Sequence, residues 1–129
     1  MTCAVLITPL VDVVPIIEGC DYIGVDAGAL KIIDQGLPIK MAVGDFDSVS
    51  RSELEMIQSA AKDCMIAPAE KDDTDTELAL KIIFQLYPEA EVTIFGAFGG
   101  RIDHMLSNLF LVSDPELAPF MRRICLRDK

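Results

Sequence analysis

The chain has 129 residues, is 51% hydrophobic and 25% charged, and carries a formal net charge of −10. That is one domain's worth of sequence with enough apolar content for a sizeable core, which excludes disorder, collagen-like repeats and low-complexity sequence. Asp plus Glu number 21 against 11 Lys plus Arg, so nucleic-acid backbones and anionic membrane surfaces would repel the chain, and a phosphorylated small molecule fits only with a metal cation between.

In chain order, Cys3–Ile7 reads as a strand, Val11–Ile17 as a helix and Tyr22–Val25 as a second strand. A helix over Ala29–Gln35 is stopped by Gly36 and Pro38. Met41–Val43 is a third strand, and the capping-box pattern Ser50-x-x-Glu53 starts a helix over Arg51–Ala61. Cys64–Ile66 is the next strand, followed by a helix over Asp75–Leu86 that begins at Thr74-x-x-Glu77 and ends before Pro88. Val92–Phe95, a helical stretch over Ile102–Val112 and a strand over Arg123–Leu126 complete the series. Short β-branched runs alternating with helices predict a single three-layer α/β domain, Rossmann-like, with a mostly parallel sheet flanked by helices.

The four cysteines, Cys3, Cys20, Cys64 and Cys125, form no C-x-x-C pair and are expected to be reduced, buried small hydrophobes. The apolar start lacks a basic region, and no run approaches the ~20 apolar residues of a membrane span. A soluble, cytoplasmic protein is the expectation. A strand at the very end, before Arg127-Asp128-Lys129, raises the further expectation that more polypeptide follows.

Chemistry concentrates after three of the strands. Tyr22–Val25 runs into Asp26-Ala27-Gly28, Met41–Val43 into Gly44-Asp45-Phe46-Asp47-Ser48, and Val92–Phe95 into Gly96-Ala97-Phe98-Gly99-Gly100-Arg101-Ile102-Asp103-His104. In an open parallel sheet ligands bind beyond these carboxyl ends. Asp26, Asp45, Asp47, Asp72, Asp73, Asp75, Glu77 and Asp103 lie in these segments or in Lys71–Glu77. Two carboxylates ~4 Å apart repel by about 4 kcal/mol at an effective dielectric of 20. Such clustering points to a hard cation, Mg²⁺ or a similar ion, that also touches substrate phosphates. A structural reading stands beside this one. Asp47, Asp72 and Asp73 are also suited to capping helices, Glu77 to partnering Thr74, Lys71 to a surface ion pair, and His104 to a structural hydrogen bond. Arg101 beside two glycines is suited to an anionic ligand.

Taken in order, Asp26-x-Gly28, Gly44-Asp45-Phe46-Asp47-Ser48, Lys71-Asp72-x-Thr74-Asp75-x-Glu77 and Gly99-Gly100-Arg101-x-Asp103-His104 strongly resemble the thiamin pyrophosphokinase family. The resemblance covers residues 3 to about 126 and matches the family's N-terminal catalytic domain. It implies transfer of a diphosphate from ATP to thiamine, giving thiamine diphosphate and AMP, with Mg²⁺ and a homodimer. By motif, Asp26, Asp45, Asp47 and Asp75 would organise metal and triphosphate, with Asp45, Asp47 and Asp75 as the catalytic set. Asp26, Gly28, Lys71, Asp72, Thr74, Gly99, Gly100, Arg101, Asp103 and His104 would bind the nucleotide. Asn108, one helical turn after His104, would face the same loop. The family's C-terminal β-sandwich domain, which completes the thiamine pocket, is absent from residues 1–129. Two other readings stay open. Asp45-Phe46-Asp47-Ser48-Val49 fits the D-x-D-x-[TV] element of haloacid-dehalogenase-like phosphatases, although that element normally follows the first strand. The chain also fits a Mg²⁺-dependent nucleotide-binding module that is inactive without the missing domain.

Overall fold

A computed structural model of the chain describes residues 3–67, 74–96 and 115–127. Among them are six strands, β1 (Cys3–Ile7), β2 (Asp21–Val25), β3 (Met41–Gly44), β4 (Asp63–Ile66), β5 (Glu91–Phe95) and β6 (Ile124–Arg127), and three α-helices, α1 (Gly28–Asp34), α2 (Arg51–Ala60) and α3 (Asp75–Leu86). A 3₁₀ helix over Ala118–Arg123, absent from the sequence reading, leads into β6. The expected helix over 102–112 lies outside the described residues.

The strands form one sheet in the order β4-β3-β2-β1-β5-β6. Every pairing is parallel, where a mostly parallel sheet was expected. Alternate side chains feed two separate cores, as a sheet covered on both faces requires. Ala4, Leu6, Ile23, Val25, Met41 and Val43 pack against Ala79, Leu80, Ile83 and Phe84 of α3. Val5, Ile7, Tyr22 and Ala42 pack on the other face against Ala29 and Ile32 of α1 and Ile57 of α2. The three-layer expectation is met.

Local signals explain the helix ends. Ser50 and Glu53 form the full reciprocal capping box at α2. Thr74 Oγ1 accepts the Glu77 N–H at 3.1 Å and donates to the Glu77 carboxylate at 3.4 Å, so Glu77 is the partner of this cap. Helix α1 closes with Gly36 N–H on Ile33 O and Leu37 N–H on Ile32 O, the Schellman arrangement.

Two expectations are corrected. Residues 11–17 form no helix; they belong to an extended strap from β1 back to the start of β2. Pro9 and Pro15 oppose helix formation there, and remote side chains satisfy the strap's backbone instead. Gln35 bonds both the N–H and the carbonyl of Val14, while the Tyr22 hydroxyl accepts from Ile17 N and donates to Pro15 O. The cysteines also differ from expectation. Cys3 and Cys20 form a disulfide with their Cα atoms 4.7 Å apart, because the strap returns its end to the start of β1. Cys64 and Cys125 are free, Cys64 half-buried and Cys125 exposed on an edge strand. Among the described residues no helix is long and apolar enough to cross a membrane.

Candidate active site

The sheet's carboxyl edge is where the sequence motifs converge. Asp26 follows β2, Asp45 follows β3, and Asp75 is the first residue of α3. Parallel pairing of β2 with β3 continues one bond beyond Val25, with Asp26 N–H on Val43 O at 2.8 Å. That bond sets Asp26 beside Gly44 (φ +155), where a Cβ would stand 3.1 Å from the Asp26 Cα. Glycine at this position lets the two strand ends come together. Helix α3 packs on the β2–β3 side of one face and delivers Asp75 to the same edge. One carboxylate oxygen from each of Asp26, Asp45 and Asp75 lies within 4.8 Å of the others.

The turns after β2 and β3 are unusual backbone. Asp26 has φ +51 and Phe46 φ +59, and a bulky residue in that region is held at a cost. The Phe46 ring is buried in the core under α1 and α2, which anchors the turn. Asp47 N–H caps Asp45 Oδ1 at 3.0 Å. The Asp47 carboxylate stays outside the three-carboxylate group and is exposed. Nor does Asp47 cap α2, a place taken by Ser50.

Electrostatics single out Asp26. Burial pushes its carboxyl above the ordinary 3.8; the Ser48 hydroxyl opposes that rise, the Asp75 and Asp45 carboxylates add to it, and the Phe46 backbone N–H opposes it. Asp26 Oδ1 is buried with no hydrogen-bond partner among the described residues. A buried carboxylate oxygen without a donor, beside two more carboxylates, fits a hard divalent cation bound through oxygen.

Gly28 opens α1 directly above β1; a Cβ there would lie 2.1 Å from Ile7 O. Strand order reverses at β1, with β2 on one side and β5 on the other, and this reversal is where such sheets open a ligand crevice. Buried Thr8 stands there, its hydroxyl on Gly96 O at 3.0 Å. Thr74 is accounted for as the α3 cap. Lys71, Asp72, Gly99, Gly100, Arg101, Asp103, His104 and Asn108 lie outside the described residues. Ser48, quoted within a motif but given no role by the sequence, donates to Asp26 Oδ2 at 3.2 Å. No spacing rule links positions 22 apart, so only proximity across β2 and β3 reveals that contact.

Residues 17–122 match the family model for the thiamin pyrophosphokinase catalytic domain. The chain belongs to the thiamin pyrophosphokinase family. A thiamine pyrophosphokinase of Bacillus subtilis (strain 168) is 42% identical over 91 residues, covering 70% of this chain and 42% of that protein. The crystal structure of a thiamin pyrophosphokinase family protein from Enterococcus faecalis superposes with a TM-score of 0.90 at 44% identity, over 99% of this chain and 62% of that one. A thiamine pyrophosphokinase structure from Bacillus subtilis gives 0.75 at 32% identity, over 100% of this chain and 61% of that one. A thiamin pyrophosphokinase structure from Candida albicans, at 15% identity and a TM-score of 0.71, shares the fold. This chain therefore spans less than two thirds of the relatives it matches. Membership in this family displaces the phosphatase reading of Asp45-Phe46-Asp47.

Proposed function

We propose that this chain is the catalytic, ATP- and Mg²⁺-binding domain of a thiamine diphosphokinase, transferring a diphosphate from ATP to the hydroxyl of thiamine and releasing AMP. The observation that carries the reading is the convergence of Asp26, Asp45 and Asp75 within 4.8 Å at the sheet's carboxyl edge, in a chain of this family. Those three carboxylates would hold Mg²⁺, which when bound neutralises charge on the triphosphate oxygens. The protein's own contribution is to position, because phosphoryl-type transfer needs alignment and charge neutralisation more than covalent help. The β1–β5 crevice seats the nucleotide beside the carboxylates, with Gly28 keeping α1 close to the sheet. Lys71, Asp72, Gly99, Gly100, Arg101, Asp103 and His104 complete the nucleotide contacts in this reading. Asp47, outside the group, is the carboxylate left to take the proton of the attacking hydroxyl. By the same family resemblance the protein works as a homodimer, and a β-sandwich domain adds to the thiamine pocket.

The test is to incubate the chain with ATP, Mg²⁺ and thiamine and identify products by mass spectrometry. AMP with thiamine diphosphate is the expected outcome, and Asp75→Asn should abolish it. ADP or free phosphate would overturn the reading. Saturable Mg²⁺-dependent ATP binding without turnover would make these residues a nucleotide-binding module that needs the additional domain.

A further inference from the structure

Asp26 and Ser48 come together only because β2 and β3 end side by side. The Ser48 hydroxyl donates to Asp26 Oδ2 at 3.2 Å. The other oxygen, Oδ1, is buried without a hydrogen-bond partner among the described residues. A carboxylate tied down on one oxygen cannot rotate freely, and its other oxygen is held for whatever fills the space beside it. Outer partners of this kind orient metal ligands generally. We propose that Ser48 is a positioning residue: its hydroxyl fixes the Asp26 carboxylate so that Oδ1 is held for a divalent cation shared with Asp45 and Asp75. This rests on the metal reading of the site given above.

The rest of the fold makes little demand on Ser48. It is exposed, precedes the α2 cap formed by Ser50 and Glu53, and belongs to neither core. What aims it is Phe46, whose buried ring and φ of +59 turn the chain so that the segment after β3 presents the Ser48 hydroxyl to Asp26. Removing the hydroxyl therefore acts on the carboxylate and disturbs neither core. Threonine keeps the hydroxyl and should substitute for it.

The experiment follows loss of the free Mn²⁺ electron-paramagnetic-resonance signal on titration into the 129-residue chain, with Mg²⁺ as competitor. Ser48→Ala is expected to weaken Mn²⁺ binding about tenfold and Ser48→Thr less than about twofold, in line with the cost of losing an outer partner of a metal ligand. Asp26→Asn should remove the binding. Wild-type affinity in Ser48→Ala, with binding lost in Asp26→Asn, would overturn the proposal and leave the metal site standing. Equal weakening by alanine and threonine would also overturn it by assigning Ser48 to packing rather than to the hydroxyl contact. A wild-type chain that binds neither Mn²⁺ nor Mg²⁺ would bring down the metal reading itself.

Discussion

Asp26 sits in a left-handed backbone conformation, half-buried, with two carboxylates close by. Such an arrangement costs stability in the absence of a cation, and its pH dependence has a definite sign. A carboxyl whose folded pKa is raised contributes stability that is fully present below its unfolded value and is lost as pH rises through the folded value. The Asp26 shift is upward from 3.8, chiefly through burial. At neutral pH the metal-free protein therefore carries a destabilising charge. Asp26→Asn is expected to raise the metal-free melting temperature at about pH 7, with the gain shrinking to nothing as pH falls below about 3.8. Calorimetric melting in chelator across that range checks it; a variant no more stable than wild type at neutral pH would contradict the argument. Adding Mg²⁺ should stabilise the wild type and not the variant. The sequence exposed Asp26, Asp45 and Asp75 because each lies just past an apolar strand or a helix cap. It could not separate Asp47 from them, since one residue along a turn decides which carboxylate faces inward.

Helix α1 illustrates how an element is seated as well as formed. Its first residue, Gly28, lies so close to β1 that any side chain would strike Ile7 O, 2.1 Å from the position of a Cβ. Gly28→Ala should destabilise the protein by about 1–3 kcal/mol, the usual cost of forcing atoms into a packed interface. It should also weaken ATP binding by tilting α1 away from the crevice. Urea denaturation and a nucleotide titration read the two effects, and wild-type stability would show that α1 is not pinned there. Elements whose signals are local, such as α2 with its capping box and α3 with Thr74 and Pro88, were legible within a residue of their ends. The strap over residues 8–20 was not. Its apolar spacing suits a helix, but Gln35 and Tyr22 supply its hydrogen bonds from elsewhere in the chain. A sequence window has no access to such partners.

At the scale of the whole molecule, the Cys3–Cys20 disulfide closes the strap across a separation of 17 residues. A bridge of that span restricts the unfolded chain by about 3 kcal/mol. Dithiothreitol should accordingly lower the unfolding free energy by about that amount, an effect absent in the Cys3→Ser, Cys20→Ser double variant; equal stability with and without reductant would remove the bridge from the account. What the sequence by itself determined was the α/β class, the six strands, the capped helices and the segments that carry acidic residues. These follow from hydrophobic period, turn chemistry and capping, all of which act over a few residues. Tertiary structure alone decided the strand order, the pairing of Cys3 with Cys20, the inward trio of Asp26, Asp45 and Asp75, and the Ser48 contact. Each depends on which strand ends lie side by side, and that is settled by burying both faces of one sheet at once.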